Sequence, residues 1–125
     1  MSDREELILS TLPKTWFVDI DGTLVKHNGY KIDGKDTLLE GAKEYLDQLP
    51  KEDRVVLTTS RTDEYRQLKI DFLQENEIRY DDILFNLPFG ERIVMNDRKP
   101  SGLEMSVAIN LDRDRFEGPV IRRET

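Results

Sequence analysis

The sequence predicts an α/β domain built on a mainly parallel sheet. Short apolar runs of strand length, residues 16–20, 54–58, 83–85 and 93–97, alternate with two stretches of helical periodicity, residues 37–49 and 62–76. The run Val55-Val56-Leu57 lacks polar alternation, as expected of a parallel strand covered on both faces. Polar residues gather where the runs end: Asp19 and Asp21, Thr59 and Ser60, Asn96 and Asp97. In open parallel sheets that carboxyl edge is where sites are built.

Length and composition bound the answer. The 125 residues suit one domain. A chain of this size buries roughly two-thirds of its unfolded surface, enough for a core. There are no cysteines, which excludes thiolate metal sites, thiol nucleophiles and disulfides and fits a reducing compartment. The formal net charge of −7 has the wrong sign for a nucleic-acid binder, and Arg122-Arg123 reads as a solvated basic pair. No apolar run approaches the ~20 residues that span a membrane. Asp3, Arg4, Glu5 and Glu6 are unlike a signal peptide, so a cytoplasmic soluble protein is expected. The expected layout is a single domain over residues 1–125: a helical extension over 1–14, a core over about 16–111, and a charged tail over 112–125.

The elements follow in order. Residues 2–12 predict a short helix, with Ser2 and Glu5 spaced as a capping box and Pro13 ending it. Residues 16–20 form the first strand. Asn28-Gly29 between Lys26-His27 and Tyr30-Lys31-Ile32 predicts a small hairpin. Residues 37–49 predict a helix capped by Thr37 and Glu40, with Leu38, Ala42, Tyr45 and Leu49 on its inner face. Residues 54–58 form the second strand. Residues 62–76 predict the next helix, with Tyr65, Leu68, Phe72 and Leu73 inward and Asn76 as C-cap. Residues 83–85, 93–97 and 107–111 predict the remaining strands.

The chemistry centres on Asp19 and Asp21. Alternate strand residues share a face, so both carboxylates leave the strand on one side while Ile20 turns into the core. Two carboxylates that close repel. A divalent cation relieves the repulsion, and an all-oxygen donor set suits Mg²⁺.

Asp19-Ile20-Asp21-Gly22-Thr23-Leu24 resembles the D-x-D-G-T-L signature of the haloacid dehalogenase superfamily, most of whose members are phosphatases. The resemblance extends over about residues 16–111. It implies a three-layer Rossmann-like core with a mainly parallel sheet, a small flap hairpin and no large cap domain. It also implies that Asp19 attacks phosphorus and forms an aspartyl-phosphate, while Asp21 protonates the leaving oxygen and then assists a water. The acid role requires surroundings that keep a proton near neutrality, which a free Asp, at a pKa of about 3.9, does not.

Thr59 matches the Thr or Ser that ends the second strand of these proteins, with Thr58 its rival if the register slips by one. The implied role is a hydroxyl hydrogen bond to the phosphoryl group, with Ser60 beside it. Arg61 either reaches substrate or pairs with an acid on the surface. Asp97 matches the acidic residue that joins Asp19 and Asp21 around Mg²⁺, and Asn96 orients a metal-bound water. The balancing cation is Lys99 or Arg92; Lys99 is favoured because it follows the strand that carries the last motif and Lys suits a point-charge phosphate contact. His27 is the single histidine and reads as a residue of the flap tip.

The expected activity is Mg²⁺-dependent hydrolysis of a small-molecule phosphate ester such as a sugar phosphate, with no nucleic-acid or membrane partner. An uncapped site needs shielding by the flap or a neighbouring subunit, so a homo-oligomer, dimer or tetramer, is expected. The competing reading is a catalytically idle phosphate-binding or phospho-accepting module.

Overall fold

The computed structural model describes residues 5–32 and 34–124, with the backbone alone at Tyr30 and Ile32. In order these are β1 (Glu6–Leu9), β2 (Thr15–Asp19), α1 (Gly29–Ile32), α2 (Ala42–Asp47), β3 (Arg54–Thr58), α3 (Arg66–Glu75), β4 (Asp82–Leu84) and β5 (Val120–Arg123). A 3-10 turn over Asp63–Tyr65 leads into α3.

The central sheet has the order β2-β3-β4 and is parallel throughout. Register pairs Trp16 with Val55, Val18 with Leu57, and Leu57 with Ile83, so these five residues share one face. Each connection is a crossover carrying a helix. Two right-handed crossovers running the same way across a sheet put both helices on one side. Accordingly Ala42 and Leu46 of α2 and Leu73 of α3 pack with Val55, Leu57 and Ile20 in a single core. Burying each such aliphatic side chain contributes ~1.5–3 kcal/mol. The opposite face carries Phe17, Val56 and Leu84. Phe17 is 59% and Leu84 41% exposed. The architecture is therefore mixed α/β with parallel sheets, and the described residues include no large cap. Among the described residues no helix is long and apolar enough to cross a membrane.

Polar pins hold the edges of this core. Asp53 is buried and accepts hydrogen bonds from the Lys14 backbone N–H and the Trp16 indole N–H, each at 3.0 Å. Arg79 donates to the carbonyls of Leu49, Pro50 and Asp53 at 2.7–2.8 Å, closing the end of the chain segment that follows α2. Tyr45 stacks edge-on against Trp16 and Phe116 and donates to the Pro119 carbonyl at 2.7 Å.

Several predicted elements take another form. Residues 5–12 of the expected N-terminal helix are not helical; Glu6–Leu9 is a strand, and the Ser2 end of that helix lies outside the described residues. Its exposure alternates, and β5 supplies a parallel ladder from Glu6↔Val120 to Leu9↔Arg123. A long-range partner thus outweighs the local cap signal. The expected charged tail contributes β5 to the same pair.

The Asn28-Gly29 hairpin does not form. A type I′ turn needs φ > 0 at both residues, whereas here only Asn28, at φ 55, is left-handed and Gly29 starts α1. The expected helix over 37–49 is reduced to Ala42–Asp47. Gly41 sits at φ 85, which breaks the helical path, and Leu38 bridges to Val25 instead.

In α3 the inward position expected for Leu68 belongs to Lys69: Leu68 is 49% exposed and Lys69 fully buried. The expected strands over 93–97 and 107–111 are absent. Residues 91–100 are exposed and irregular, with Ile93 83% and Met95 91% exposed. A strand needs a neighbour to satisfy its backbone groups, and the described residues offer this segment none.

Candidate functional site

β2 delivers Asp19 at its carboxyl end, and the chain turns sharply just after it. Ile20 is fully buried, as its alternation requires. The Ile20 carbonyl accepts from the N–H groups of Thr23, Leu24 and Val25, and Gly22 donates to the Val25 carbonyl at 2.7 Å. Gly22 makes this turn at φ +87, where a β-carbon would also lie 3.3 Å from the Arg113 side chain. Asp114 clamps the turn from outside: its N–H donates to the Gly22 carbonyl at 2.8 Å, and its carboxylate accepts from the His27 N–H at 2.6 Å.

The two aspartates face different company. Asp19 is open, with its side chain 40% exposed. Thr23 Oγ1 donates to Asp19 Oδ2 at 3.2 Å, and Arg92 Nη2 stands 3.8 Å from Oδ1. Burial of part of the carboxyl pushes its pKa up, and the charge of Asp21 adds to this against the Thr23 bond and Arg92.

Asp21 lies deeper, with its side chain 16% exposed. Its Oδ2 accepts from Thr59 Oγ1 at 2.7 Å. Its Oδ1 lies 2.5 Å from Arg61 Nη2 and 3.6 Å from Lys69 Nζ.

Beneath Asp21 is a buried ionic cluster. Arg61 grips Asp36 with both terminal nitrogens, at 3.1 and 2.5 Å, and Lys69 Nζ reaches Asp36 Oδ2 at 3.1 Å. Burial alone would push the Asp36 carboxyl up, but the Arg61 hydrogen bond and the Lys69 and Arg61 charges outweigh it and hold it below the ordinary carboxylate range. Burial pulls the Lys69 ammonium down from its usual value, assisted by Arg61 and resisted by Asp21 and Asp36. Two acids and two bases balance, as a buried ionic cluster requires.

The structure thus brings Asp19, Asp21, Thr59, Ser60 and Arg92 to one edge of the sheet. Thr59, not Thr58, is the hydroxyl that meets Asp21, and it also accepts the Arg61 N–H at 3.1 Å. Ser60 Oγ donates to the Pro88 carbonyl at 3.3 Å and accepts from Arg92 Nη2 at 3.4 Å. Arg92 is further held by the Pro88 and Gly90 carbonyls at 3.1 and 2.9 Å, which aims its guanidinium at Asp19. Arg61 pairs with acids, but in the interior, with its side chain 4% exposed, and not on the surface as expected.

Asp97, Asn96 and Lys99 are not brought there. They lie on the exposed segment after Arg92, where Lys99 anchors a turn through Gly102 N–H to its carbonyl at 2.8 Å.

Asp36 and Lys69 were not legible as site residues. The signal for Lys69 was its place on the stripe Tyr65-Lys69-Phe72-Leu73, where a cation on an inward face asks for a buried partner. Asp36 offered only a position in a turn-rich stretch.

Among the described residues no group of three acidic or histidine side chains is placed to hold a metal ion. Asp19 has an open carboxylate, but Asp21 Oδ2 is held by the Thr59 hydroxyl, and its buried Oδ1, which accepts no hydrogen bond from the described residues, faces the charges of Arg61 and Lys69. A divalent cation wants several oxygens around it, and one chain arranged this way supplies an incomplete set. Compared with family models, with curated proteins and with solved structures, the chain matches none.

Proposed function

We propose that the protein is a phosphomonoester hydrolase of the haloacid dehalogenase type, acting through an aspartyl-phosphate on a small phosphorylated metabolite, with sugar phosphates the first class to try. The observation that carries the reading is the setting of Asp19. It is an open carboxylate at the carboxyl edge of a parallel sheet, aligned by Thr23 and faced by the Arg92 guanidinium. An anionic phosphate arriving there meets a cation and a nucleophile together.

In the first half-reaction an Asp19 oxygen bonds to phosphorus while the ester oxygen departs and takes a proton from Asp21, whose carboxyl must first exchange its Arg61 contact for that proton. In the second, water attacks phosphorus, gives its proton to Asp21, and releases Asp19 and inorganic phosphate. Arg92 and Ser60 bind the phosphoryl oxygens, and Thr59 orients Asp21. The reading includes the three-layer core that the signature implies, with the face of Phe17, Val56 and Leu84 leaving room for its other layer. It keeps Mg²⁺ as the cofactor, a homo-oligomeric assembly, and a cytoplasmic setting without nucleic-acid or membrane partners.

One observation favours an idle phosphate-binding module instead: Asp21 has both oxygens engaged. The deciding experiment is hydrolysis of an aryl phosphate and a metabolite panel, with Mg²⁺, with EDTA, and with Asp19→Asn. Metal-dependent turnover lost in the variant is the expected result. No turnover across the panel, with a phospho-Asp19 that persists, would establish the module.

A further inference from the structure

β2 is the edge of its sheet, although it is the strand that carries Trp16, Phe17 and Val18 and ends in the site. Its outer row of backbone N–H and C=O groups has no ladder partner among the described residues. An apolar, unpaired edge is a template for another strand. The chain also carries a segment of strand composition that joins no sheet among the described residues: Ile93-Val94-Met95-Asn96-Asp97, with Ile93 83%, Val94 55% and Met95 91% exposed. Thr15–Asp19 spans five residues, and residues 93–97 match that length.

The connection decides how the two can meet. Arg92 lies at the carboxyl edge of the sheet, 3.8 Å from Asp19. A strand parallel to β2 must begin at the other end, beside Thr15, about 13 Å away at ~3.3 Å per residue. Ile93 follows Arg92 directly, so no residues remain for the return, and parallel neighbours ordinarily need a crossover of a dozen or more. Within one chain, with Arg92 in place, the segment can lie along β2 only antiparallel, which carries Asp97 away from the site. A second copy is free of that constraint.

We propose that residues 93–97 add in parallel to the outer edge of β2 in a second copy of this chain, so that each site is completed by the other chain's Asp97. Aligning Met95 with Phe17 sets Asp97 beside Asp19. A third carboxylate, which the described residues of one chain do not place there, then stands with Asp19 and Asp21, and the backbone groups of both segments gain ladder partners. Reciprocal exchange closes a two-fold dimer. The strand exchange stands on the edge and the connection; the role given to Asp97 rests on the proposed hydrolase.

The chain has no cysteine of its own, so single cysteines report contacts cleanly. Phe17→Cys and Met95→Cys chains, unfolded together, co-refolded and mildly oxidised, should yield a disulfide-linked dimer on a non-reducing gel, well above either protein alone. No link in the mixture, with the double variant closing a disulfide inside one chain, overturns the exchange.

A second experiment reads the site. Asp19→Asn and Asp97→Asn proteins, each inactive alone, should recover about a quarter of the wild-type rate when co-refolded in equal amounts, because half the dimers are mixed and one of their two sites is whole. Cross-linking without recovered activity supports the exchange and removes the role given to Asp97. If the wild-type chain is also inactive on the phosphate panel, it is the hydrolase reading that fails.

Discussion

Arg61 and Asp36 form a two-pronged ion pair, at 3.1 and 2.5 Å, in the interior beneath the site. Neither residue is near the other in sequence, yet the pair joins the end of β3 to the loop before α2. It also fixes Asp21 from below, because the Nη2 that holds Asp36 lies 2.5 Å from Asp21 as well.

Removing one member leaves uncompensated charge. Asp36→Asn strands Arg61 and Lys69 on the single carboxylate of Asp21. The expected loss is about 3–5 kcal/mol, the usual cost of breaking a buried pair from one side, read from urea unfolding at neutral pH. Replacing Asp36 and Lys69 together by Asn and Met restores the balance of charge and should recover part of the loss.

The same carboxyl predicts an acid limit. Asp36 titrates below its unfolded value of about 3.9, so its pairs favour the ionised form. Its contribution is complete above about pH 5 and is lost as pH falls through the lower folded value. Unfolding curves of wild type and Asp36→Asn should therefore converge as pH drops below about 4, and stay apart at pH 7.

Asp19 has the opposite sign. Burial, with help from Asp21, raises its pKa, so its ionised form opposes folding at neutral pH. Asp19→Asn should raise stability slightly, by less than about 1 kcal/mol because the side chain is well exposed. Turnover should vanish in the same protein. Stability gained with activity lost separates a chemical role from a structural one.

Arg92 meets Asp19 with both side chains 40% exposed, so the pair contributes little to the fold. Arg92→Ala should leave the unfolding midpoint almost unchanged. It should lower kcat/KM about tenfold or more, as loss of a charged hydrogen bond of ~1.5–3 kcal/mol predicts. Arg92→Lys should restore only part, since it cannot reproduce the fork that reaches Ser60, Pro88 and Gly90 together.

Thr59→Val keeps the shape and removes the hydroxyl. It leaves Asp21 Oδ2 and the Arg61 N–H without their partner, an expected cost of about 1–3 kcal/mol by denaturant titration. Thr58→Val should cost less, because the Thr58 side chain makes no such bridge to Asp21.

What was legible in the sequence follows the range of the interactions. The strands around Phe17, Val56 and Ile83 and the Asn76 cap depend on periodicity and local chemistry and stand as read, while the helix expected over 62–76 forms only over 66–75, with Leu68 turned outward. The meeting of Asp19, Asp21 and Thr59 at one edge follows from strands that run in parallel. Arg61 and Lys69 converge on Asp36 across long separations, and nothing in local pattern fixes that. Local signals failed wherever a distant partner intervened: β5 took residues 6–9 from a helix, and Leu38 was drawn to Val25 from the start of another. Residues 93–97 have the composition of a strand and no strand partner among the described residues.

The pairing of β1 with β5 has a consequence for synthesis. Glu6 meets Val120, so two segments far apart in sequence are joined. β1 leaves the ribosome ahead of β5 and waits, with Leu7, Ile8 and Leu9 unpaired, until β5 has emerged. This part of the fold closes only after translation has passed residue 123, and contacts this far apart in sequence form slowly. In the interval the nascent chain presents a short apolar strand, the kind of segment that holding chaperones recognise.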